Sequence, residues 1–232
     1  HHFELAGLAL DPESHYAIRD SSGHESAVHS FRTAPLFATT FPFASVSDMQ
    51  DVGEHNRWPD TVTELQAHTD VSFLVIPGDL TAGDSPGAWW TFFDRARDYF
   101  PGIVMMPVPG NHDTPTGGHN PDTSSFLEYF DLPAVAGLDA VYRFDYGSAA
   151  FLGLNSEELP QFAVGADQYL WIEDALLDIV TAGDRAWVFA LWHVPPYNAG
   201  LRHNEDQGAV RDITGLFEGV VDWVLSGHEH LY

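Results

Sequence analysis

The sequence predicts an α/β fold built on a layered sheet with some antiparallel pairing, and three observations carry that reading. From Leu36 onward, short apolar runs alternate with helix-like stretches. The apolar runs stop at Gly, Pro or polar residues, as buried strands do. Polar clusters at three of those stops are separated by about one βαβ unit of ~30 residues.

Residues 3–33 read as β: "FELAGL", "SHYAI" and "AVHSFRT" are short segments parted by the turn-rich "DPE" and "DSSGHES". This is too little for a domain. The stretch "LALDPESHY", with Leu8, Pro12 and Tyr16, resembles the tyrosine-corner region of a fibronectin type III or immunoglobulin-like sandwich, and "SFRTAP" its last strand and exit. The expected organisation is residues 1–35 as the C-terminal strands of such a sandwich plus a linker. Residues 36–232 then form the main domain, expected to be truncated at its C-terminus. The alternative is an N-terminal β extension of that domain.

In the main domain the expected strands are "FPFASVS", "VSFLVIPG", "GIVMMPVPG", "AWVFALWH" and "VDWVLSGH", with "AVYRFDYGSAAFLGLNS" a hairpin turning at Gly147. The expected helices are "PDTVTELQAHT", "PGAWWTFFDRARDYF", "ADQYLWIEDALLDIVTAG" and "AVRDITGLFEG". In the third, Leu170, Ile172, Leu176, Leu177 and Ile179 fall close to helical spacing, and Gly183 is placed as a C-cap. Trp89 and Trp90 sit in the second helix pattern, where core packing is the expectation.

Composition narrows the functions. Hydrophobic residues make up 44% of the 232, enough for a sizeable core. Against 34 Asp and Glu stand nine Arg and no Lys, a net charge of −25 that repels nucleic acid and anionic membranes and suits a salt-adapted surface. Cysteine is absent, so any metal must be held by His, Asp, Glu, Asn or Gln. No stretch reaches the ~18 to 20 apolar residues of a membrane span, and the start lacks a signal-peptide pattern.

The chemistry lies where the strands stop. Five clusters occupy those positions: "SDMQ" at 47–50, "GDL" at 78–80, "GNHD" at 110–113, "WHVPPY" at 192–197 and "GHEH" at 227–230. Asp48, Asp79 and Asn111 are 31 and 32 residues apart, so these clusters are expected side by side along one sheet edge. Singly each is weak, since Gly-Asp after a strand is usually a turn. Independent turns, however, have no reason to supply Asp, Asp, Asn, His and His-x-His in succession. His228 and His230 alternate about Glu229, which in an extended segment puts both on one side.

The ordered set resembles that of the calcineurin-like metallophosphoesterases, the superfamily that includes the purple acid phosphatases, over about residues 40–232. The resemblance implies a β-sandwich flanked by helices and two divalent or trivalent metal ions (Mn, Fe, Zn or Mg). It implies that Asp79 bridges both ions, with Asp48, Gln50 and His230 completing the first site and Asn111, His193 and His228 the second. Such centres clamp the attacking and leaving oxygens of a phosphate ester and activate water between the ions. Their charge lets a phosphate approach despite the acidic surface. His112 is implied as general acid to the leaving oxygen, with Asp113 holding its other ring nitrogen. The alternative for His112 is a supporting hydrogen bond to the ligands. Tyr197 is read as a pocket wall and Arg202 and His203 as phosphate or substrate contacts, the plainer alternative being solvated loop residues. His15, His24, His29, His55, His68 and His119 fit no ligand spacing and read as surface residues.

Two departures qualify the resemblance. The first motif is Asp-x-Gln where the superfamily usually has Asp-x-His, so Gln50 is either a ligand through its amide oxygen or a neighbour that does not ligate. Purple acid phosphatases also place a Tyr three residues after the bridging Asp, and here that residue is Ala82, which offers no phenolate. The implied activity is hydrolysis of phosphate esters, monoesters preferred, in an extracellular or cell-surface protein. Its alternatives are a phosphodiesterase or nucleotide hydrolase, or a non-catalytic binding protein on the same scaffold.

The charge imbalance generates one prediction. Self-repulsion among exposed carboxylates is screened over ~10 Å at 0.1 M salt and ~3 Å at 1 M, so the melting temperature should rise with moderate NaCl. A flat or falling curve in a thermal scan would contradict a salt-adapted surface.

Overall fold

The structure, a computed structural model, describes residues 3–10, 13–35, 40–50, 57–115, 117, 119–198 and 207–230. Two sheets carry the main domain. The first is parallel, in the order β3 (Ala44–Ser45), β4 (Phe73–Pro77), β5 (Val104–Val108). The second runs β6 (Tyr142–Tyr146), β7 (Ala149–Gly153), β8 (Trp187–Leu191), β9 (Trp223–Leu225), antiparallel at the β6–β7 hairpin and parallel thereafter. Gly147 turns the hairpin with φ +54°, as the sequence predicts.

Each sheet is covered on both faces, which is why β4 and β7 are buried at every position and read as unbroken apolar runs. Between the sheets lies an aromatic layer in which Phe73, Phe151, Tyr142 and Leu191 meet. Phe151 stacks between Phe144 and Phe189, with ring centroids 4.6 and 4.7 Å away. Outside the first sheet pack α1 (Trp58–Ala67), α2 (Pro86–Arg95) and α3 (Ser124–Tyr129). Outside the second pack α4 (Asp167–Ala182) and the short turns α5 (Gln207–Val210) and α6 (Thr214–Phe217). The result is a helix-sheet-sheet-helix sandwich.

Several elements differ from the sequence expectation for local reasons. "AVRDITGLFEG" is broken into α5, a 3₁₀ turn and α6, consistent with its poor helix formers Asp212, Thr214 and Gly215. In α4 the buried face is Gln168, Ile172, Ala175, Leu176 and Ile179, whereas Leu170 and Leu177 are exposed. Gly183 does cap α4, at φ +63°, its N–H donating to Ile179. Trp89 is core as expected, but Trp90 is exposed.

The five strand-end clusters do not line one sheet. Asp48, Asp79 and Asn111 follow β3, β4 and β5, while His193 and His228 follow β8 and β9, so the C-terminal ends of two facing sheets converge. β9 stops at Leu225, which removes the extended segment expected to align His228 and His230.

At the N-terminus, β1 (Glu13–Tyr16) and β2 (His29–Arg32) form a two-stranded antiparallel ribbon. The Tyr16 hydroxyl donates to the Pro101 carbonyl at 2.8 Å, docking the ribbon on the main domain and not closing a tyrosine corner within its own segment. Pro12 lies outside the described residues, and the fibronectin-like reading still rests on sequence alone. Among the described residues no helix is long and apolar enough to cross a membrane.

Candidate metal centre

Short loops leave the strand ends and turn ligand-type side chains inward at a backbone cost. Asp48, Asp79, His228 and His230 all adopt positive φ, between 53° and 74°. Among the described residues Ala140 is the one other non-glycine that does so. Such left-handed positions cost about 1–3 kcal/mol each and persist where the surroundings over-determine them. They also explain how His228 and His230 both turn inward without a strand, one toward each end of the cluster. Glycines before the ligands let the loops touch: a Cβ on Gly110 would collide with the Asp79 backbone and carboxylate, and one on Gly227 with Asp48 and Ser47.

At one end of the cluster, the side-chain ligand atoms of Asp48, Asp79 and His230 all lie within 4.8 Å of one another. His230 Nε2 is 3.4 Å from Asp48 Oδ1, and the His228 N–H donates to the same Asp48 oxygen at 2.9 Å. A cleft of ≈ 460 Å³ opens beside these groups, lined also by Ser47, Arg57, Trp58 and Thr61.

At the other end, Asn111 Oδ1, His193 Nε2 and His228 Nδ1 lie 3.0 to 3.2 Å apart pairwise. His193 Nδ1 donates to the Pro77 carbonyl at 3.0 Å, so Nε2 is the lone-pair nitrogen of the neutral ring. Asn111 Nδ2 donates to the Gly117 carbonyl at 3.3 Å, which aims Oδ1 at the two imidazoles. Asn111 Oδ1 and His193 Nε2 thus turn lone pairs toward His228 Nδ1, which either donates a proton to them or, deprotonated, joins them in facing a cation. Nitrogen and oxygen donors without sulfur fit Zn, Mn, Fe or Mg.

Asp79 stands between the two ends. Its Oδ1 accepts from the His112 N–H at 2.9 Å and lies 3.3 Å from His193 Nε2. The buried Gln50 enters as a donor, its Nε2 on Asp79 Oδ2, so it supports the carboxylate and does not present its oxygen.

Asp113 takes a different place from the one the sequence suggests. It does not hold the His112 ring. Its fully buried carboxylate accepts the backbone N–H groups of Leu80 at 3.2 Å, Thr81 at 2.9 Å and Gly110 at 2.9 Å, lacing the loops after β4 and β5 together. The His112 ring instead projects from the short turn 111–113, partly exposed, with Nε2 4.0 Å from Asp79 Oδ2. Tyr197 is exposed and stacks under the Arg211 guanidinium at 5.1 Å. Arg202, His203 and His55 lie outside the described residues.

One expected surface residue belongs here. His119 Nδ1 is 3.0 Å from Glu157 Oε2, and its ring centroid is 5.7 Å from that of His228. Neither His119 nor Glu157 carries a local signature. A clue lay in Glu157 following a strand end, as the recognised clusters do.

Electrostatics follow from burial in opposition to pairing. Burial alone would depress the His193 imidazolium, but the charge and hydrogen bond of Asp79, with Asp48 and Glu157 beyond it, raise its pKa to about 10. For Asp79, burial is outweighed by His193 and His112 and the pKa is lowered. Asp113 is raised to about 7, by burial first and then by the Asp79 charge, against its three backbone donors.

Against known proteins, the calcineurin-like phosphoesterase family model matches residues 41–232. The chain belongs to that family. Among curated proteins it is 28% identical to purple acid phosphatase 22 of Arabidopsis thaliana, over all of this chain and 52% of the relative. It is also 27% identical to the probable purple acid phosphatase 20 of that plant, over 96% and 53%. The chain therefore spans about half the length of these relatives. A purple acid phosphatase from yellow lupin (Lupinus luteus) seeds shares the fold with TM-score 0.76 at 19% identity, covering 95% of this chain and 44% of the lupin chain. A dimetal phosphatase from Danio rerio does so with TM-score 0.56 at 17% identity, covering 82% of each.

The family fold and the raised His193 yield a prediction about pH. Because the folded pKa lies above the ordinary 6.5, the His193–Asp79 pair stabilises the metal-free protein fully below pH 6.5 and loses that contribution as pH rises through about 10. A cation at Nε2 must displace that proton, so metal affinity should rise by about tenfold per pH unit below pH 10 for one proton released. Titration with chelator-buffered Mn²⁺ between pH 6 and 8 checks this. A flat affinity would contradict the assignment of the proton to His193.

Proposed function

We propose that the chain hydrolyses phosphate esters, monoesters preferred, on a dinuclear metal centre. The observation that supports this most is the convergence of ligand-type side chains from four other strand-end loops around the buried Asp79, in a family of phosphoesterases. In this reading Asp79 would be shared by two ions. Asp48, His230 and Gln50 would hold the first, Gln50 after its amide turns to present oxygen. Asn111, His193 and His228 would hold the second. When bound, such ions polarise phosphoryl oxygens and lower the pKa of water, the two demands of ester hydrolysis.

The remaining work falls to the chain's own groups. Among the described residues His112 is the one histidine next to Asp79 that is both outside the proposed ligand set and substantially open, its side chain 40% exposed. Its backbone N–H is fixed on Asp79, so the ring is carried at a set distance from the reacting centre. From there it gives a proton to the departing oxygen, which makes loss of an alkoxide tolerable near neutral pH. Asp113 keeps the His112 turn in register with the Asp79 loop. The pronounced acidity of the surface and an extracellular or cell-surface setting belong to the same reading.

Chelation and His193→Ala should abolish hydrolysis. His112→Asn should retain the metals and lose roughly 10²- to 10⁴-fold in turnover on an alkyl phosphate. An aryl phosphate with an acidic leaving group, which needs less protonation, should lose far less. Equal losses on the two substrates would rule out the proton-donor role.

A further inference from the structure

β7 ends beside β8, with Gly153 opposite Leu191, so the turn that follows β7 stands next to the loop that carries His193. That turn, residues 155–157, offers no atom to the proposed ligand sets, yet its residues are buried and bonded. Its anchor is Gln168, fully buried in the first turn of α4. Gln168 Oε1 accepts from the Asn155 N–H at 2.8 Å, and its Nε2 donates to the Asn155 carbonyl at 3.3 Å. A buried amide is costly unless its ends are bonded, and here both ends hold one residue. Asn155 Oδ1 in turn accepts from the Glu157 N–H at 2.9 Å, which closes the turn.

The residue between them reaches the His193 loop. The fully buried Ser156 Oγ accepts from the Val194 N–H at 3.1 Å. The same peptide unit is held at its other end, because the His193 carbonyl accepts from the Gly227 N–H at 3.0 Å, one residue before His228. On the near side, the Trp192 N–H donates to the Leu225 carbonyl at 3.2 Å. Peptide units are planar, so bonding the units around His193 sets the direction of its Cα–Cβ bond. Asp48, Asp79, His228 and His230 are turned inward by left-handed backbone, whereas His193 is not, and its aim depends on these neighbours.

We infer that Ser156 and Gln168 are positioning residues for the second ion site. Gln168 holds the 155–157 turn, and the Ser156 hydroxyl holds the peptide after His193, so that Nε2 stands 3.1 Å from Asn111 Oδ1 and 3.2 Å from His228 Nδ1. The inference rests on the dinuclear reading above. The Pro77 carbonyl fixes the rotation of the ring through Nδ1, and the brace fixes where the ring starts from. Metal–ligand distances tolerate only about ±0.2 Å, and the length of the imidazole magnifies any swing at its root.

The test is titration with chelator-buffered Mn²⁺ at one pH, reading the number of ions and the affinity of each, with melting temperature alongside. It compares wild type, Ser156→Ala, Ser156→Thr, Gln168→Met and Ile179→Ala. Losing a partner that orients a metal ligand typically costs about 10- to 100-fold in affinity. Ser156→Ala and Gln168→Met should each weaken one ion by that much and leave the other within about threefold, while Ser156→Thr, which keeps the hydroxyl, should bind both as wild type does. Ile179 lies in the core on the same helix, so Ile179→Ala should lower the melting temperature and leave both affinities alone. The weakened ion should be the one that His193→Ala loses, so adding Ser156→Ala to His193→Ala should leave the remaining ion's affinity unchanged. Equal weakening of both ions, no weakening in Ser156→Ala or Gln168→Met, the same loss in Ile179→Ala, or a further loss in the double variant would overturn the inference. A wild type that binds fewer than two ions would instead overturn the dinuclear reading on which it rests.

Discussion

One buried carboxylate organises this molecule. Asp79 accepts from Gln50 of the first strand-end loop and from the backbone of His112 in the third, and it pairs with His193 of the fourth. Its own loop is bound to the third by Asp113. An isolated carboxylate at this depth would be too costly to keep ionised, and here the cost is offset by histidine charge and backbone donors. The parallel register of β3, β4 and β5 exists in the service of that meeting point, because it delivers three loops to one place.

The price in backbone strain is concentrated at the same spot. Four ligand-type residues stand in the left-handed region, and at about 1–3 kcal/mol each their sum rivals the net stability of a domain. The doubly covered sheets supply the counterweight: continuous apolar strands and an aromatic layer between the sheets fix the strand ends from which the strained loops depart. A cation bound among Asn111, His193 and His228 would add binding free energy that offsets part of that strain without changing the torsions. Fold and chemistry are therefore linked through a few backbone torsions, and the sheets are the rigid part of the arrangement.

Much of this was legible in the chain itself. Spacings of 31 and 32 residues placed Asp48, Asp79 and Asn111 on adjacent parallel strands, and the hairpin at Gly147 and the cap at Gly183 followed from local turn chemistry. What was not legible depends on tertiary approach. Asp113 looked like a partner for its neighbour His112, yet a turn at 111–113 turns its carboxylate toward Leu80 and Thr81, more than thirty residues away. His119 looked like a surface residue because its partner Glu157 is 38 positions distant. His228 and His230 suggested strand alternation, and the left-handed turns that bring them in leave no mark on a sequence pattern.

The central claim is that Asp79 is shared between two bound ions. Metal analysis after reconstitution and exhaustive dialysis, on wild type and Asp79→Asn, tests it most directly, with circular dichroism to confirm that both are folded. The account predicts two ions per wild-type chain and weakened retention at both sites in the variant. A wild type that holds one ion or none, or a variant that loses one ion while the other is held with unchanged affinity, would contradict it.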